Sequence, residues 1–232
     1  MQYGIWNSID DVNVLGILSY RYDFVIIDLE HGYRSFDRVQ TAILLLTAQK
    51  KDFMVRVRSA QDPLVQTLLD LGVKKFVLPK SKSLDEVRIF ESQLLFPPNG
   101  TRGNHPRLKF SLQNYGIEKS FLEYNSEIQL CVIVETKELL DQIQSIHEIS
   151  SVKELYLGAY DLSLDLQLPK GINDDSLNSI YLKIADICSE NSLVFSSMVS
   201  DRFSESDLKN YGVTKMICGI DMLFLDQSLQ RF

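Results

Sequence analysis

The amino-acid sequence predicts a single α/β domain over residues 1–232, folded as a (β/α)8 barrel. Three observations support this fold class. Eight short apolar runs follow one another along the chain, and amphipathic segments with helical spacing lie between most of them. The runs are largely unbroken, which is typical of parallel strands that are buried on both faces. An open, doubly wound sheet is the alternative, but no G-x-G-x-x-G motif follows any run.

The predicted strands and helices alternate along the whole chain. The strands are "YGIWNS", "DFVIIDL", "FMVRVR", "KFVLPK", "IQLCVIVET", "ELYLGAY", "LVFSSMV" and "KMICGI". The helices are "SFDRVQTAILLLTAQKK", "DPLVQTLLDLG", "SLDEVRIFESQLL", "KELLDQIQSIHEI", "DDSLNSIYLKIADICSEN" and "SESDLKNYG". Several helices start with Ser or Asp at the N-cap position, and two end at Gly. One long segment rich in Pro, Gly and Asn, residues 96–116, interrupts this pattern. Such a loop inside a compact domain is more often functional than idle.

The composition excludes several classes of protein. The net charge is −7, whereas a nucleic-acid-binding surface needs excess positive charge to neutralise phosphates. No apolar run approaches the roughly 20 residues of a membrane helix, and the first residues lack the features of a signal peptide. Cys131, Cys188 and Cys218 lie in apolar contexts that indicate reduced, buried thiols. We therefore expect a cytoplasmic protein without membrane or nucleic-acid partners.

Charged side chains follow almost every predicted strand, at the end where barrels carry their active sites. In chain order they are Asp28, Glu30, His31, Arg56 or Arg58, Lys80, Glu135 and Asp161. Each has a structural explanation when taken alone. Asp161 suits a helix cap, Glu135 suits the positive end of a helix dipole, and a lone arginine suits a surface ion pair.

Taken together, these residues predict chemistry beside a carbonyl group. Glu135 and Asp161, from adjacent strand ends, can hold a hard divalent cation together with water and substrate oxygens. His31 beside Asp28 can act as an oriented general base at neutral pH. Arg56 can stabilise the negative charge that develops on an enolate or alkoxide. This combination suits proton transfer and the making or breaking of carbon–carbon bonds.

Five motifs, in order, resemble those of the HpcH/HpaI aldolase family. They are "IIDLEHG", "MVRV" followed by "LLDLGVKKFVLP", "PPNGTRG", "VIVET" and "YLGAYDLSLDLQLP", and the resemblance extends over nearly the whole chain. It implies a class II aldolase that reversibly cleaves a 2-keto-3-deoxy acid to pyruvate and an aldehyde through a metal-stabilised enolate. The implied cofactor is Mg²⁺ or Mn²⁺, with Co²⁺ as a third candidate. The implied partners are a small keto acid and an aldehyde, and the implied assembly is a homo-oligomer.

The resemblance also assigns roles to individual residues. Glu135 and Asp161 correspond to the metal-binding carboxylates. His31 corresponds to the catalytic histidine, and Asp28 to the acid that orients it. Arg56 corresponds to the arginine that holds the keto oxygen of pyruvate.

Three further assignments concern the remainder of the site and the ends of the chain. Asp70, in "LLDLG", corresponds to an aspartate that acts near the arginine or from a neighbouring subunit. Gly158 and Ala159 correspond to backbone that receives the substrate carboxylate. The chain begins almost at the first strand, so the resemblance implies a missing N-terminal helix and a shortened last helix.

Three departures from the family motifs leave other functions open. Ile133 stands where the family often has Gln, Tyr160 replaces a proline, and Lys80 follows Pro79 in place of an apolar residue. Lys80 suggests a Schiff-base mechanism, although pairing with a carboxylate is the alternative. Ile133 and Tyr160 suggest a diverged, inactive barrel that acts as a binding or scaffold protein.

Two basic features of the 96–116 loop bear on the substrate. The "RLK" sequence from Arg107 to Lys109 is the one basic cluster suited to a coenzyme A phosphate, which leaves a CoA-ester lyase of the citrate lyase β type as a further alternative. Arg102 is a candidate for contacting an acidic substrate, and an internal salt bridge is its alternative role.

Overall fold

Eight parallel strands form a closed barrel, as the sequence predicts. The computed structural model describes residues 1–32, 34–103 and 117–230. The strands pair in chain order, and β8 closes the barrel against β1. Their bounds are β1 Gln2–Asn7, β2 Phe24–Asp28, β3 Asp52–Arg56, β4 Lys75–Leu78, β5 Gln129–Val134, β6 Val152–Leu157, β7 Val194–Met198 and β8 Lys215–Ile220.

Ten α-helices in the described part of the chain surround the barrel. They are α1 Val12–Arg21, α2 Phe36–Ala48, α3 Val65–Asp70, α4 Leu84–Leu94, α5 Ile117–Glu127, α6 Lys137–Gln142, α7 Ala159–Asp165, α8 Ser176–Glu190, α9 Glu205–Asn210 and α10 Asp221–Leu229. Two 3-10 turns, Ile143–Glu148 and Gly171–Asn173, follow α6 and α7. Over the described ranges, no helix combines the length and apolarity that crossing a membrane requires.

Side-chain caps explain where several helices begin. The Asp11 carboxylate accepts from two backbone N–H groups at the start of α1. Ser83 and Thr136 each accept one such bond, and Ser204 forms a capping box with Asp207. These bonds satisfy N–H groups that have no partner within the helix. The predicted Ser caps of α4 and α9 are therefore confirmed.

The interior of the barrel is filled by alternate residues of the strands. Its apolar cluster consists of Trp6, Phe24, Ile26, Met54, Val77, Cys131, Ile133, Tyr156 and Ile217. Successive side chains of a strand point to opposite faces, so the residue two positions further on points the same way. Asp28 therefore follows Ile26, Arg56 follows Met54 and Glu135 follows Ile133. Alternation brings these three charges to the carboxyl end of the barrel.

A buried ion pair lies inside the opposite end of the barrel. Lys215, the first residue of β8, places Nζ 2.7 Å from Oε2 of Glu154. The Ser196 hydroxyl donates to Oε1 of Glu154 over 2.6 Å. The Lys215 ammonium also lies 4.2 Å from the centre of the Phe24 ring. We call Glu154, Ser196 and Lys215 the base cluster.

Candidate active site

A cavity of about 650 Å³ opens at the carboxyl ends of the strands. It brings together most of the side chains that the sequence predicts for the site. Predicted residues in its lining are His31, Arg56, Glu135, Gly158, Ala159 and Asp161. Polar groups converging in one large pocket at this end of a barrel are the expected arrangement of an active site.

The Arg56 guanidinium is fixed at the mouth by two carboxylates. Its Nε and Nη2 donate to the two carboxylate oxygens of Asp28 over 2.9 and 2.6 Å. Nη1 lies 3.0 Å from Oε2 of Glu30, and the group lies 4.3 Å from the centre of the Trp6 ring. Only 12% of the Arg56 side chain is exposed. A two-pronged, buried pair of this kind holds the positive charge in one orientation.

Asp28 organises the loop after β2. Its Oδ1 accepts from the backbone N–H groups of Glu30 and His31 over 2.9 and 3.2 Å. Among the described contacts, the acid nearest the His31 imidazole is Glu30, with 3.8 Å between Nε2 and Oε2. Asp28 therefore positions the backbone of His31 and the guanidinium of Arg56. The predicted contact of Asp28 with the imidazole ring is not among the bonds it makes.

Glu135 is a buried carboxylate in a negative environment. Its Oε1 accepts from the backbone N–H of Lys80 over 2.6 Å. The pKa of Glu135 is raised to about 7, mainly by burial and also by the charges of Asp161 and Glu30, against the lowering effects of the Lys80 N–H and of Arg56. One oxygen of the Glu135 carboxylate accepts a backbone hydrogen bond, but few positive charges lie nearby. The ionised form is therefore less stable than that of an exposed carboxylate.

Lys80 connects two parts of this acidic cluster. Its backbone has φ of +56°, a conformation that costs an ordinary side chain free energy and that Lys50, Gln167 and Ser192 also adopt. Its ammonium lies 2.6 Å from Oε1 of Glu30, and hydrogen bonding to Glu30 raises the pKa of Lys80. A Schiff base requires the neutral amine, so this geometry favours the carboxylate-pairing alternative.

Gly158 keeps space open beside Glu135. A Cβ at this position would lie 3.0 Å from Cγ2 of Ile133 and 3.3 Å from Oε2 of Glu135. The Gly158 N–H donates to the carbonyl of Val134 over 3.1 Å. Of the two amides predicted to receive the substrate carboxylate, that of Ala159 heads α7, where first-turn N–H groups lack helical partners. The Gly158 N–H is already bonded in this way, and the predicted role of the Gly158–Ala159 backbone in receiving the substrate carboxylate stays a prediction.

The donor set at Glu135 and Asp161 suits a hard divalent cation. Asp161 lies in the first turn of α7, and both carboxylates line the cavity. No group of three or more His, Cys, Asp or Glu side chains suited to a metal occurs in the described ranges. Glu135 and Asp161 could supply two oxygen ligands, and a cation bound there would take its other ligands from water and substrate, as Mg²⁺ and Mn²⁺ commonly do. Burial and the neighbouring carboxylates raise the pKa of Glu135, and a bound cation would stabilise its ionised form.

Three of the predicted charged residues lie away from this cavity. Arg58 pairs with Asp62, with 3.0 Å between Nε and Oδ2, so only Arg56 of the two candidate arginines enters the site. Asp70 pairs with Arg102 over 3.1 Å. Arg102 is buried against the rings of Phe96 and Tyr124. The internal salt bridge is thus the role of Arg102 that the structure supports.

Two expectations are not tested by this arrangement. The contribution of Asp70 from a neighbouring subunit stays a prediction. The "RLK" sequence and residues 104–116 of the predicted functional loop lie outside the described residues.

Sequence reasoning missed one side of the cavity. The missed lining residues include Trp6, Tyr156, Met198, Val199, Phe203, Leu223 and Phe224. The ends of β7 and β8 carry no run of charges, so they gave no chemical signal. Tyr160 also lines the cavity, and 47% of it is exposed.

The fold and the site define a barrel enzyme with an acid-rich pocket at the carboxyl ends of its strands. Residues 2–226 match the model of the HpcH/HpaI aldolase/citrate lyase family, and the chain belongs to this family. The family resemblance noted in the sequence is therefore confirmed.

Two relatives and one solved structure illustrate the relationship. A 2-keto-3-deoxy-L-rhamnonate aldolase of Shigella dysenteriae serotype 1 (strain Sd197) is 26% identical over 170 residues, 73% of this chain and 64% of that protein. The chain thus matches less than two thirds of that relative. A hydroxypyruvate/pyruvate aldolase of Roseovarius nubinhibens is 23% identical over 230 residues, 98% of this chain and 89% of the relative. The HpcH/HpaI aldolase structure from Desulfitobacterium hafniense DCB-2 has a TM-score of 0.87 at 20% identity, covering 99% of this chain and 90% of that one.

Proposed function

We propose that the protein is a class II, pyruvate-type aldolase. It reversibly cleaves a 2-keto-3-deoxy acid to pyruvate and an aldehyde. The observation that carries this proposal is the meeting of Glu135, Asp161, Arg56 and His31 in one cavity. Membership of the family and the aldolase names of two relatives support the same reaction class.

Glu135 and Asp161 are the residues that would hold a divalent cation, with Mg²⁺ or Mn²⁺ preferred and Co²⁺ as the third candidate. When bound, the cation supplies positive charge that polarises the keto oxygen of the pyruvate unit. Gly158 contributes by leaving the space beside Oε2 of Glu135 unfilled.

Arg56 supplies a second, permanent positive charge. Asp28 and Glu30 hold the guanidinium before substrate arrives, so no reorganisation is needed when negative charge develops on the pyruvate unit. Arginine stays protonated at any working pH, which makes this charge independent of the titration of its neighbours.

His31 is the proposed proton carrier. Its side chain is 63% exposed at the mouth of the cavity, where it can exchange protons with water. In the cleavage direction, it accepts the proton of the C4 hydroxyl. The C3–C4 bond breaks, its electron pair moves into the pyruvate unit as an enolate, and the aldehyde leaves. The proton then passes from His31 to C3, which gives pyruvate and restores the neutral imidazole. Addition reverses these steps, and the aldehyde oxygen takes the proton.

The proposal includes the assembly and the compartment. We place the enzyme in the cytoplasm as a homo-oligomer. Asp70 is absent from the cavity lining of its own chain over the described residues, which fits the family role in which a neighbouring subunit provides it. The inactive-scaffold alternative does not explain why four titratable groups converge where folding requires none.

The test is exchange of the pyruvate methyl protons in D₂O, followed by NMR with added Mg²⁺ or Mn²⁺. E135Q and D161N should each lower the exchange rate at least about 100-fold and weaken Mn²⁺ binding in electron paramagnetic resonance titrations. D165N, on the same helix as Asp161 but outside the cavity lining, is the matched control and should keep both properties. Full exchange and Mn²⁺ affinity in E135Q would contradict the proposal.

A further inference from the structure

The cavity, of about 650 Å³, extends beyond the polar groups at which we propose that pyruvate binds. The residues proposed for catalysis follow β2, β3, β5 and β6. The other part of the lining comes mainly from the ends of β7 and β8, from the loop that precedes α9, and from α10. We call Met198, Val199, Phe203, Ile220, Leu223 and Phe224 the apolar wall. It lies next to the pyruvate site because β7 follows β6 in the barrel.

Two of the polar side chains beside the apolar wall, those of Ser197 and Tyr181, are already bonded within the protein, while Ser200, Asp201 and Gln227 also line this side of the cavity. The Ser197 hydroxyl lies 2.9 Å from the Tyr181 hydroxyl and donates to the Leu157 carbonyl over 3.1 Å. Neither group is left to replace the hydrogen bonds that a polyhydroxylated substrate would lose on leaving water. A substrate tail that contacts this wall meets apolar surface, which favours apolar tails.

Part of the apolar wall is packed against neighbouring aromatic rings and backbone. The Tyr181 ring centre lies 4.6 Å from that of Phe203 and 5.0 Å from that of Tyr211. Gly219 has φ of +152°, and a Cβ there would lie 2.8 Å from the Phe224 ring. The glycine therefore lets the Phe224 ring seat against the end of β8. A preformed apolar surface binds without the entropic penalty of ordering its side chains.

The charges around the cavity argue against an acidic tail. Of the lining side chains that the structure describes, only Arg56 and His31 can carry positive charge. Arg56 is already paired with Asp28 and Glu30. The additional acid on the far side, Asp201, would repel a second carboxylate or a phosphate.

We propose that the aldehyde partner is a neutral, aliphatic aldehyde whose tail lies against the apolar wall. This inference rests on the proposed function and specifies its substrate class. In the addition direction, the methyl carbon of pyruvate loses a proton and bonds to the aldehyde carbon. The aldehyde oxygen gains a proton, and the product is a 4-hydroxy-2-keto acid with an alkyl tail.

The first experiment compares aldehydes in the addition reaction. We expect kcat/KM to rise roughly tenfold for each two methylenes from butanal to hexanal to octanal, because burying each methylene contributes to binding. Hexanal should exceed both glyceraldehyde and succinic semialdehyde at least about tenfold. A preference for either of these two, or no dependence on chain length, overturns the inference.

The second experiment separates this inference from the proposed function, since it needs no turnover. Calorimetry with Mn²⁺ present should show that 2-oxooctanoate binds at least about tenfold more tightly than pyruvate, and that 2-oxoadipate does not. L223K should weaken 2-oxooctanoate binding and strengthen 2-oxoadipate binding. L225K is the matched control: Leu225 lies on the same helix, is 53% exposed and is not in the cavity lining.

L225K should bind both acids as the unmodified protein does. Equal binding of 2-oxooctanoate and pyruvate overturns the apolar-wall proposal even if pyruvate proton exchange is normal. Conversely, missing proton exchange with selective 2-oxooctanoate binding contradicts the aldolase function and leaves the apolar tail site supported.

Discussion

The barrel buries charged groups at both ends, and the two sets are built differently. At the base cluster, one ammonium faces one carboxylate, and the Ser196 hydroxyl satisfies the other carboxylate oxygen. At the mouth, Asp28, Glu30, Glu135 and Asp161 share the two cations Arg56 and Lys80. The base cluster is balanced, whereas the mouth has an excess of negative charge.

This difference separates a structural ion pair from a site that has room for a ligand. A balanced, hydrogen-bonded pair needs nothing further and contributes little beyond what apolar residues would provide. Buried carboxylates without enough cationic partners are unfavourable unless a cation binds or one of them takes up a proton. The pKa of Glu135, raised to about 7, reports that condition at the mouth.

Replacing Arg56 should have the largest effect, because it removes the main cationic partner of the carboxylates at the mouth of the barrel. In R56M, pyruvate proton exchange should fall about 100- to 1000-fold, because a fixed charge at the developing anion is lost. The free energy of unfolding should also fall by about 3–5 kcal/mol, since Asp28 and Glu30 stay buried without their partner. Exchange kinetics and chemical denaturation measure the two effects.

R58M is the matched control two residues further along. Arg58 is 50% exposed, and Asp62 keeps backbone N–H bonds from Arg58 and Leu64. The R58M substitution should change the free energy of unfolding by less than about 1 kcal/mol and leave pyruvate proton exchange intact. Equal losses in R56M and R58M would contradict the role assigned to Arg56.

The strands and the mouth charges were predictable because both follow from alternation and apolarity. Each of the eight predicted strands contains most of an observed strand, and Arg56 and Glu135 fall at or just after a strand end. Helices α1, α5, α7 and α10 were not predicted from the spacing of apolar residues, although the family resemblance implied a short last helix, where α10 lies. In α7 the residues after Leu157 continue an apolar run, so the turn into a helix left no signal in the pattern.

Side-chain partners within the mouth were not predictable. The sequence places Asp28, Glu30 and His31 within four positions but does not say which acid faces the imidazole. In the structure, the Asp28 carboxylate accepts hydrogen bonds from Arg56 and from backbone N–H groups. Glu30 is the acid nearest the His31 imidazole. That choice depends on the direction of the loop after β2, which is set by contacts far away in sequence. The apolar wall was missed because the ends of β7 and β8 carry no run of charges that would mark them as part of a site.

Replacing Lys215 should disrupt the base cluster and lower stability, but leave pyruvate proton exchange unchanged. In K215M the Glu154 carboxylate stays buried without its cation, so the free energy of unfolding should fall by about 3–5 kcal/mol. Pyruvate proton exchange per folded molecule should stay within about twofold, because the base cluster lies at the other end of the barrel. Denaturation curves and exchange rates at equal folded concentration test this contrast.

The double variant K215M/E154Q sharpens the test. Replacing the orphaned carboxylate by an amide removes the buried charge, so more than half of the lost stability should return. A double variant that is as unstable as the sum of the single changes would show that the pair is not coupled. A large loss of exchange in K215M would contradict the separation of the two ends.

The smallest effect is the pH dependence that Glu135 gives to the metal-free protein. Its pKa is about 7 when folded against an ordinary 4.5, mainly because it is buried, so between these pH values the folded state binds more protons than the unfolded state. Stability should therefore fall as pH rises from 4.5 to 7. Relative to E135Q, the unmodified protein should lose on the order of 3 kcal/mol across this window.

Chemical denaturation with EDTA at several pH values measures the difference, and Mn²⁺ added at pH 7.5 should restore stability only when Glu135 is present. Parallel curves for the two proteins would show that the excess charge at the mouth is compensated elsewhere.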